Sequence, residues 1–391
     1  MVSKLRGVAW DHRRCWGPLD ASIAPYKAQR GVDVTWDRRS LYSFGEGDLA
    51  EYAVRYDLVI FDHPFVGEAA RAGYLLDLAP LISEAEIAAF AADSVGASWQ
   101  SYWTNGRLWA LPIDAAAQTA AWRPDLLEAI GAAVPDTLDD VLALAAAARA
   151  KGVWMGFPAK PTDLLCTYIS LVASDGEVPG SEAHRFVSPE ASAAAMERLR
   201  ALVSAAHPES RRWNPIACFD HMSSADDLVY APYAFNYVNY ASLPERALRF
   251  GSPPRLRPGG PVHALLGGAG IGVSATAADP EAAFAYAAYL CAPEFQSGTY
   301  VREGGQPGSR RAWQDAGCNE VTAGFLRDTL PTLQAAYLRP TADGFVPLFR
   351  EGTHRLDAVV FEGAPERDFL EWVNDGYARL AEPAASRAIA T

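Results

Sequence analysis

Asp11-His12 and Asp62-His63 each close an apolar run, in LRGVAWDHRR (5–14) and DLVIFDHPFVG (57–67). A carboxylate beside an imidazole suits two kinds of work. The acid can accept hydrogen bonds from ligand hydroxyls or an amine, with the imidazole adding a donor or a titratable group. Alternatively, the carboxylate can fix an imidazole tautomer for general acid–base catalysis. The plainer reading is that the acids cap the turns that follow and the imidazoles bond locally. Cys15, three residues beyond His12, adds a thiol that is either an activated nucleophile or a buried inert group. Two histidines and a carboxylate can bind a metal, but no HxH or HExxH spacing occurs, so no metal is expected. GxxxxGK[ST] and GxGxxG are absent, and no cofactor is expected.

Other groups stand at strand ends or in loops. Arg38 and Arg39 follow VDVTW, and a guanidinium there, Arg39 above all, can clamp a carboxylate or stay solvated. In YAPYAFNYVNYA (230–241), aromatic faces can stack on a sugar ring, and amides can orient it. Tyr237 and Asn239 are the expected contacts there, against a reading as ordinary core aromatics. Gly267, Gly268 and Gly270 permit close backbone approach, with Gly268 the expected contact. One of Arg310 and Arg311 would line a rim, and Arg339 in YLRPTADGF reads as structural.

The elements that must position these groups begin with a strand at 5–10. A helix at about 19–29, a strand at 32–36, a helix near 48–55 and the buried strand DLVIF follow. This β-α-β-α-β opening is that of a doubly wound sheet, in which ligands meet the carboxyl ends of strands. Both Asp-His pairs fall at such ends. Residues 105–127 read as a turn and two short extended pieces crossing between lobes. Residues 135–152 read as a helix capped by Asp136 or Thr137 and ended by Gly152. A further helix is expected at 189–205, a strand running into an aromatic loop over 226–241, a Gly-rich strand at 267–275, and a helix at 279–296.

The chain has 391 residues, enough for about two domains. Its net charge of -13 argues against nucleic acid or anionic lipid as partners. No apolar run is long enough to span a membrane. Five widely spaced cysteines without CxxC read as reduced thiols. MVSKLRGVAW lacks the apolar core of a signal peptide. It reads as a cytoplasmic start, whereas a chain trimmed of its signal, periplasmic or extracellular, would read the same. A monomer is the default expectation.

Five segments in order resemble the sugar-type extracellular solute-binding proteins of ABC importers. They are YDLVIFDHPFVGEAARAGYLLDLAPLI, NGRLWALPIDAAAQTAAWRPDLL, PDTLDDVLALA, GGAGIGVSATAADPEAAFAYAAYLCAPEFQ and GGQPGSRRAWQD. The resemblance implies an α/β, two-lobe periplasmic-binding-protein-like fold. Each lobe would be a mostly parallel doubly wound sheet with flanking helices, and the ligand would sit between lobes. It implies lobes of 1–112 plus 263–312 and of 113–262 plus 313–391, closing by a hinge. Asp62 occupies the family's usual ligand position, and Asp114 and Gln118 lie on the crossing segment that commonly touches ligand. His63 stands where the family often has an aromatic.

The expected activity is binding of a small polar molecule, sugar-like or carboxylate-bearing. The contacts would be Asp11, His12, Arg39, Asp62, His63, Asp114, Gln118, Tyr237, Asn239 and Gly268. If the chain is exported, an ABC importer's membrane component is the implied partner. The alternative is a cytoplasmic enzyme on the same scaffold, using His12, His63, Asp62 and Cys15.

Overall fold

The structure, a computed structural model, describes residues 3–380. Ten strands occur among them: β1 (Lys4–Trp10), β2 (Asp33–Arg39), β3 (Leu58–Phe61), β4 (Trp103–Thr104), β5 (Arg107–Leu108), β6 (Leu111–Trp122), β7 (Trp154–Met155), β8 (Leu228–Phe235), β9 (Arg249–Gly251) and β10 (Leu266–Val273). β4 and β5 form a small hairpin, and the rest join in the order β2-β1-β3-β10-β6-β8-β7, with β9 on β6. β1 pairs parallel with β2 and β3, and β7 parallel with β8. The central strands β10 and β6 are antiparallel to their neighbours.

β6 organises the molecule. The sequence suggests two short extended pieces here, because LPIDAAAQTAAW is rich in alanine, a poor strand former. Instead one strand of 12 residues runs through. Its first half pairs with β10 and its second half with β8 and β9, so it passes from one lobe into the other. The small side chains are what this buried position demands. A Cβ on Gly267 would meet the Phe235 ring at 2.8 Å, and one on Gly270 the Tyr102 ring at 2.6 Å. Packing thus overrides intrinsic propensity.

The two lobes have separate cores. Leu5, Val8, Val59, Ile60, Phe61, Ile271 and Leu290 belong to the first. In the second, the buried helix Pro161–Asp175 packs Leu164, Tyr168 and Val172 against Leu199, Tyr233 and Leu356. A third cluster, around Phe219, Phe250, Trp313 and Phe325, seals the other side of β8. The helix at 189–205 forms as expected, and the helix after Thr137 ends earlier, at Arg149. The aromatic strand Leu228–Phe235 runs into a loop, as expected.

The first helix differs most from its sequence reading. α1 (Arg13–Arg30) starts immediately after Asp11-His12 and carries Pro18 and Pro25 inside it. From sequence this helix is expected to start only at about Leu19, after Gly17-Pro18. Here His12 caps the helix one and a half turns earlier, its Nδ1 accepting the Arg14 N–H at 3.1 Å. Asp62 plays the same part after β3, with Oδ1 accepting the His63 N–H at 2.8 Å. Both Asp-His endings therefore reverse the chain, one through its histidine and the other through its acid. Among the described residues no helix is long and apolar enough to cross a membrane.

Candidate functional site

A cleft of about 220 Å³ lies between the lobes, at the ends of β1, β3 and β8 and against the middle of β6. Trp10, Arg14, Asp62, Asp114, Tyr237, Gly267, Gly268 and Arg339 are among its lining residues, with Lys160, Asp163 and Asn214 from the second lobe. Two buried ion pairs dominate it. Arg14 grips Asp114 with both Nε, at 2.8 Å, and Nη2. It also donates from Nη1 to the Asn236 carbonyl at 2.8 Å and lies 4.8 Å from the Tyr237 ring centre. One guanidinium thus joins the first helix, the crossing strand and the end of β8. Burial opposes its charge, but Asp114 outweighs burial and raises its pKa.

The second pair bridges the lobes, as Arg339 Nη2 donates to Asp62 Oδ2 at 2.7 Å. The other Asp62 oxygen is 3.0 Å from His63 Nδ1. Burial alone would raise the Asp62 pKa; Arg339 and His63 overcome it and hold the carboxyl well below its ordinary range. The Nε groups of Arg339 and Trp10 (Nε1) are buried without a partner.

These contacts extend into a clasp. Arg71 pairs with Asp343 at 2.8 Å, and Val346 packs into the first lobe's core. Between the two ion pairs, Gly67 lies flush on the 341–343 backbone. A Cβ there would fall inside contact distance of the Thr341 carbonyl and 2.6 Å from the Asp343 nitrogen.

At the opposite edge, Gln306 ties the crossing chains together. Its Nε2 donates to the Ala115 carbonyl at 3.0 Å and to Asn236 Oδ1 at 3.1 Å, while its Oε1 accepts the Val238 N–H at 2.8 Å. Gly268, at φ 110°, lies against the Asp114 carbonyl, which a Cβ would meet at 2.5 Å. Only glycine allows β10 to approach the acid-bearing stretch of β6 so closely.

Of the sequence-predicted site residues, Asp62, Asp114, Tyr237 and Gly268 line the cleft. The others lie elsewhere, for physical reasons. Asp11 faces solvent, 3.9 Å from Arg38. His12 is occupied as a cap, with its ring edge-on to Tyr237 at 4.7 Å. His63 is buried behind Asp62. Arg39 turns inward, donating to the Ile60 carbonyl at 2.7 Å and lying 4.4 Å from the Tyr52 ring centre; burial lowers its pKa to about 10. Gln118 braces the crossing strand, bonded to Thr167 at 3.1 Å and Ser170 at 2.6 Å. Asn239 donates to the Gly304 carbonyl at 3.1 Å.

The acid–base alternative finds no support. Cys15 is buried with its thiol pKa pushed up, first by burial, and neither it nor the two histidines lines the cleft. Among the described residues, no group of three or more His, Cys, Asp or Glu could hold a metal.

Sequence reasoning missed Arg14 and read Arg339 as merely structural. A signal for Arg14 existed: the first turn of α1 carries Arg13 and Arg14 and no acid. Cations there oppose the helix dipole, which points to a partner elsewhere. For Arg339 no comparable signal exists.

His12 gives the fold a pH dependence. Burial and then Arg14 lower its pKa from 6.5 to about 4. A histidine depressed in the folded state contributes stability that is present above pH 6.5 and lost as pH falls toward 4, up to roughly 3 kcal/mol. His12→Asn keeps a capping oxygen and removes the titration. Urea denaturation from pH 7 to 4.5 is expected to show a shallower stability loss in this variant than in wild type; equal slopes would refute the assignment.

Two α/β lobes, shared crossing strands and a cleft with paired charges among aromatic walls define a clamp for a small solute. The chain belongs to the bacterial extracellular solute-binding protein family, whose profile matches residues 18–297. Among solved structures it is similar to T. maritima MalE3 bound to maltose, at 20% identity and a TM-score of 0.83, covering 97% of this chain and 100% of that one. It is also similar to the GacH receptor of Streptomyces glaucescens, solved unliganded and with acarbose, at 16% identity and a TM-score of 0.80, covering 97% and 99%. A solute-binding protein of Agrobacterium radiobacter K84 in complex with ribitol matches at 18% and 0.78, covering 97% and 98%. No curated protein sequence matches the chain.

Proposed function

We propose that this chain captures a neutral polyhydroxylated solute, a sugar or polyol, by closing its lobes around it, and delivers it to an ABC importer. The carrying observation is the edge of Arg339 facing Asp62. Nη2 already donates to the carboxylate, while Nε is buried without an acceptor. A hydroxyl suits this place because it accepts from Nε–H and donates to Asp62. A ligand carboxylate would press against Asp62, and an ammonium against Arg339. Trp10 Nε1 offers a second donor to a ligand oxygen. The Arg14–Asp114 pair is likewise balanced in charge, which favours a neutral ligand.

The lobes are taken as 1–112 plus 263–312 and 113–262 plus 313–391, hinged where β6, β10 and the segment around Gln306 cross. In this reading Asp62, Asp114, Tyr237 and Gly268, with Arg14 and Arg339, contact the ligand, and the other sequence-predicted residues support them. The family's extracellular character supports a working place outside the cytoplasm, and the chain is taken to act as a monomer. The maltose, acarbose and ribitol bound by its structural relatives support this ligand class. A melting screen against neutral sugars, alditols, sugar acids and amino sugars tests it. A ligand at 100 times its Kd adds about 2.7 kcal/mol and raises the melting point. The neutral compounds are expected to give the rise; a rise confined to the acids or amines would reject the reading.

A further inference from the structure

Tyr42 stands at the mouth of the cleft, 69% exposed, the one aromatic among the large hydrophobic residues most exposed in the described chain. It also lines the cleft. Its ring makes no hydrogen bond or ring contact with a described residue. The short helix that carries it, Leu41–Glu46, is nevertheless firmly held. Ser40 Oγ accepts the Ser43 N–H at 3.1 Å, and Arg39 Nη1 donates to the Ser43 carbonyl at 3.3 Å. Phe44 packs against Trp10 in a tilted arrangement, ring centres 4.8 Å apart, and Arg39 lies over its ring. The backbone is thus fixed from below while one aromatic ring projects unpartnered over the ligand space. Leaving a tyrosine ring in water forgoes its burial energy, and what singles Tyr42 out is that its exposed ring borders the cleft. Phe235, Tyr237 and Phe349 form the facing wall on the second lobe.

We propose that Tyr42 is a ligand-contacting, specificity-determining residue that covers the flat C–H face of a ring-closed sugar. It thereby makes the site prefer cyclic sugars over open-chain polyols, which have no persistent flat face to cover. The inference rests on the sugar or polyol reading above and narrows it.

The test pairs glucose with sorbitol, galactose with galactitol and ribose with ribitol, titrated calorimetrically against wild type, Tyr42→Ala and Tyr42→Trp. Wild type is expected to bind a ring sugar more tightly than its alditol. Tyr42→Ala is expected to weaken the ring sugar roughly tenfold, leave the alditol within about twofold, and keep the ligand-free melting point. Tyr42→Trp should retain the preference. The proposal is overturned if Tyr42→Ala leaves ring-sugar affinity unchanged, weakens both members of a pair equally, or lowers the ligand-free melting point. It is also overturned if wild type prefers the alditols, an outcome that leaves the wider polyol reading standing. If wild type binds none of the six, that wider reading fails for them and this inference falls with it.

Discussion

Arg14→Ala is expected to cost about 3–5 kcal/mol of stability at pH 7 and to abolish ligand binding. The substitution removes one partner of a buried pair and leaves Asp114 without its bidentate donor. It also removes the bond to the Asn236 carbonyl and the cation over Tyr237. Most of the stability loss comes from the stranded carboxylate. A second substitution, Asp114→Asn, neutralises it and is expected to restore well over half of the lost stability, with binding still absent. Urea denaturation of wild type, both single variants and the double variant completes the cycle. The sign of the pH dependence is also fixed. An unpaired buried Asp114 has its pKa raised, so the penalty in Arg14→Ala shrinks as pH falls and the acid becomes neutral. Additive losses in the double variant would show that the pair does not act as a unit.

Gly67→Ala is expected to separate ligand affinity from stability. Gly67 lies within the helix Val66–Ala72, where alanine is favoured over glycine by up to about 1 kcal/mol. With the lobes apart, where the methyl meets nothing across the cleft, the ligand-free variant should therefore melt near the wild-type temperature. The added methyl, however, meets the 341–343 backbone of the other lobe when the lobes are together. The clasp of Asp62 with Arg339 and Arg71 with Asp343 then cannot form at its observed spacing. Affinity should fall by roughly tenfold or more, because closure is what completes the site. Small-angle scattering should show that saturating ligand compacts the wild type more than the variant. Unchanged affinity would mean that the contact at Gly67 is not part of ligand capture.

The fold was largely legible in the sequence because strand ends, capped helices and their order are local signals. The opening β-α-β-α-β pattern and the helix behind Thr137 are examples. β6 was misjudged because its alanines reflect the backbones packed around it, which no local rule reports. The start of the first helix, expected near Leu19, was misjudged because a histidine cap upstream begins it at Arg13. At the site, Asp62 and Asp114 were legible from strand-end position and family resemblance. Their partners were not. Asp62 and Arg339 are 277 positions apart, and Arg14 and Asp114 are 100 apart. Only the folded chain reveals that each acid is answered by an arginine, and that pairing turns an apparently acidic cleft into a neutral one. His12 and His63 looked like chemistry because histidine titrates near neutral pH. In the structure His12 is engaged as a helix cap and His63 is buried beside Asp62, and neither lines the cleft.

The most direct test is calorimetric titration of the purified chain with the neutral sugar or polyol that most raises its melting point, repeated with Asp62→Asn. One ligand per chain is expected, with affinity reduced at least tenfold when Asp62 loses its charge and its hold on Arg339. A wild type that takes up no neutral sugar or polyol, or an Asp62→Asn variant that binds as tightly as wild type, would contradict the assignment of this cleft.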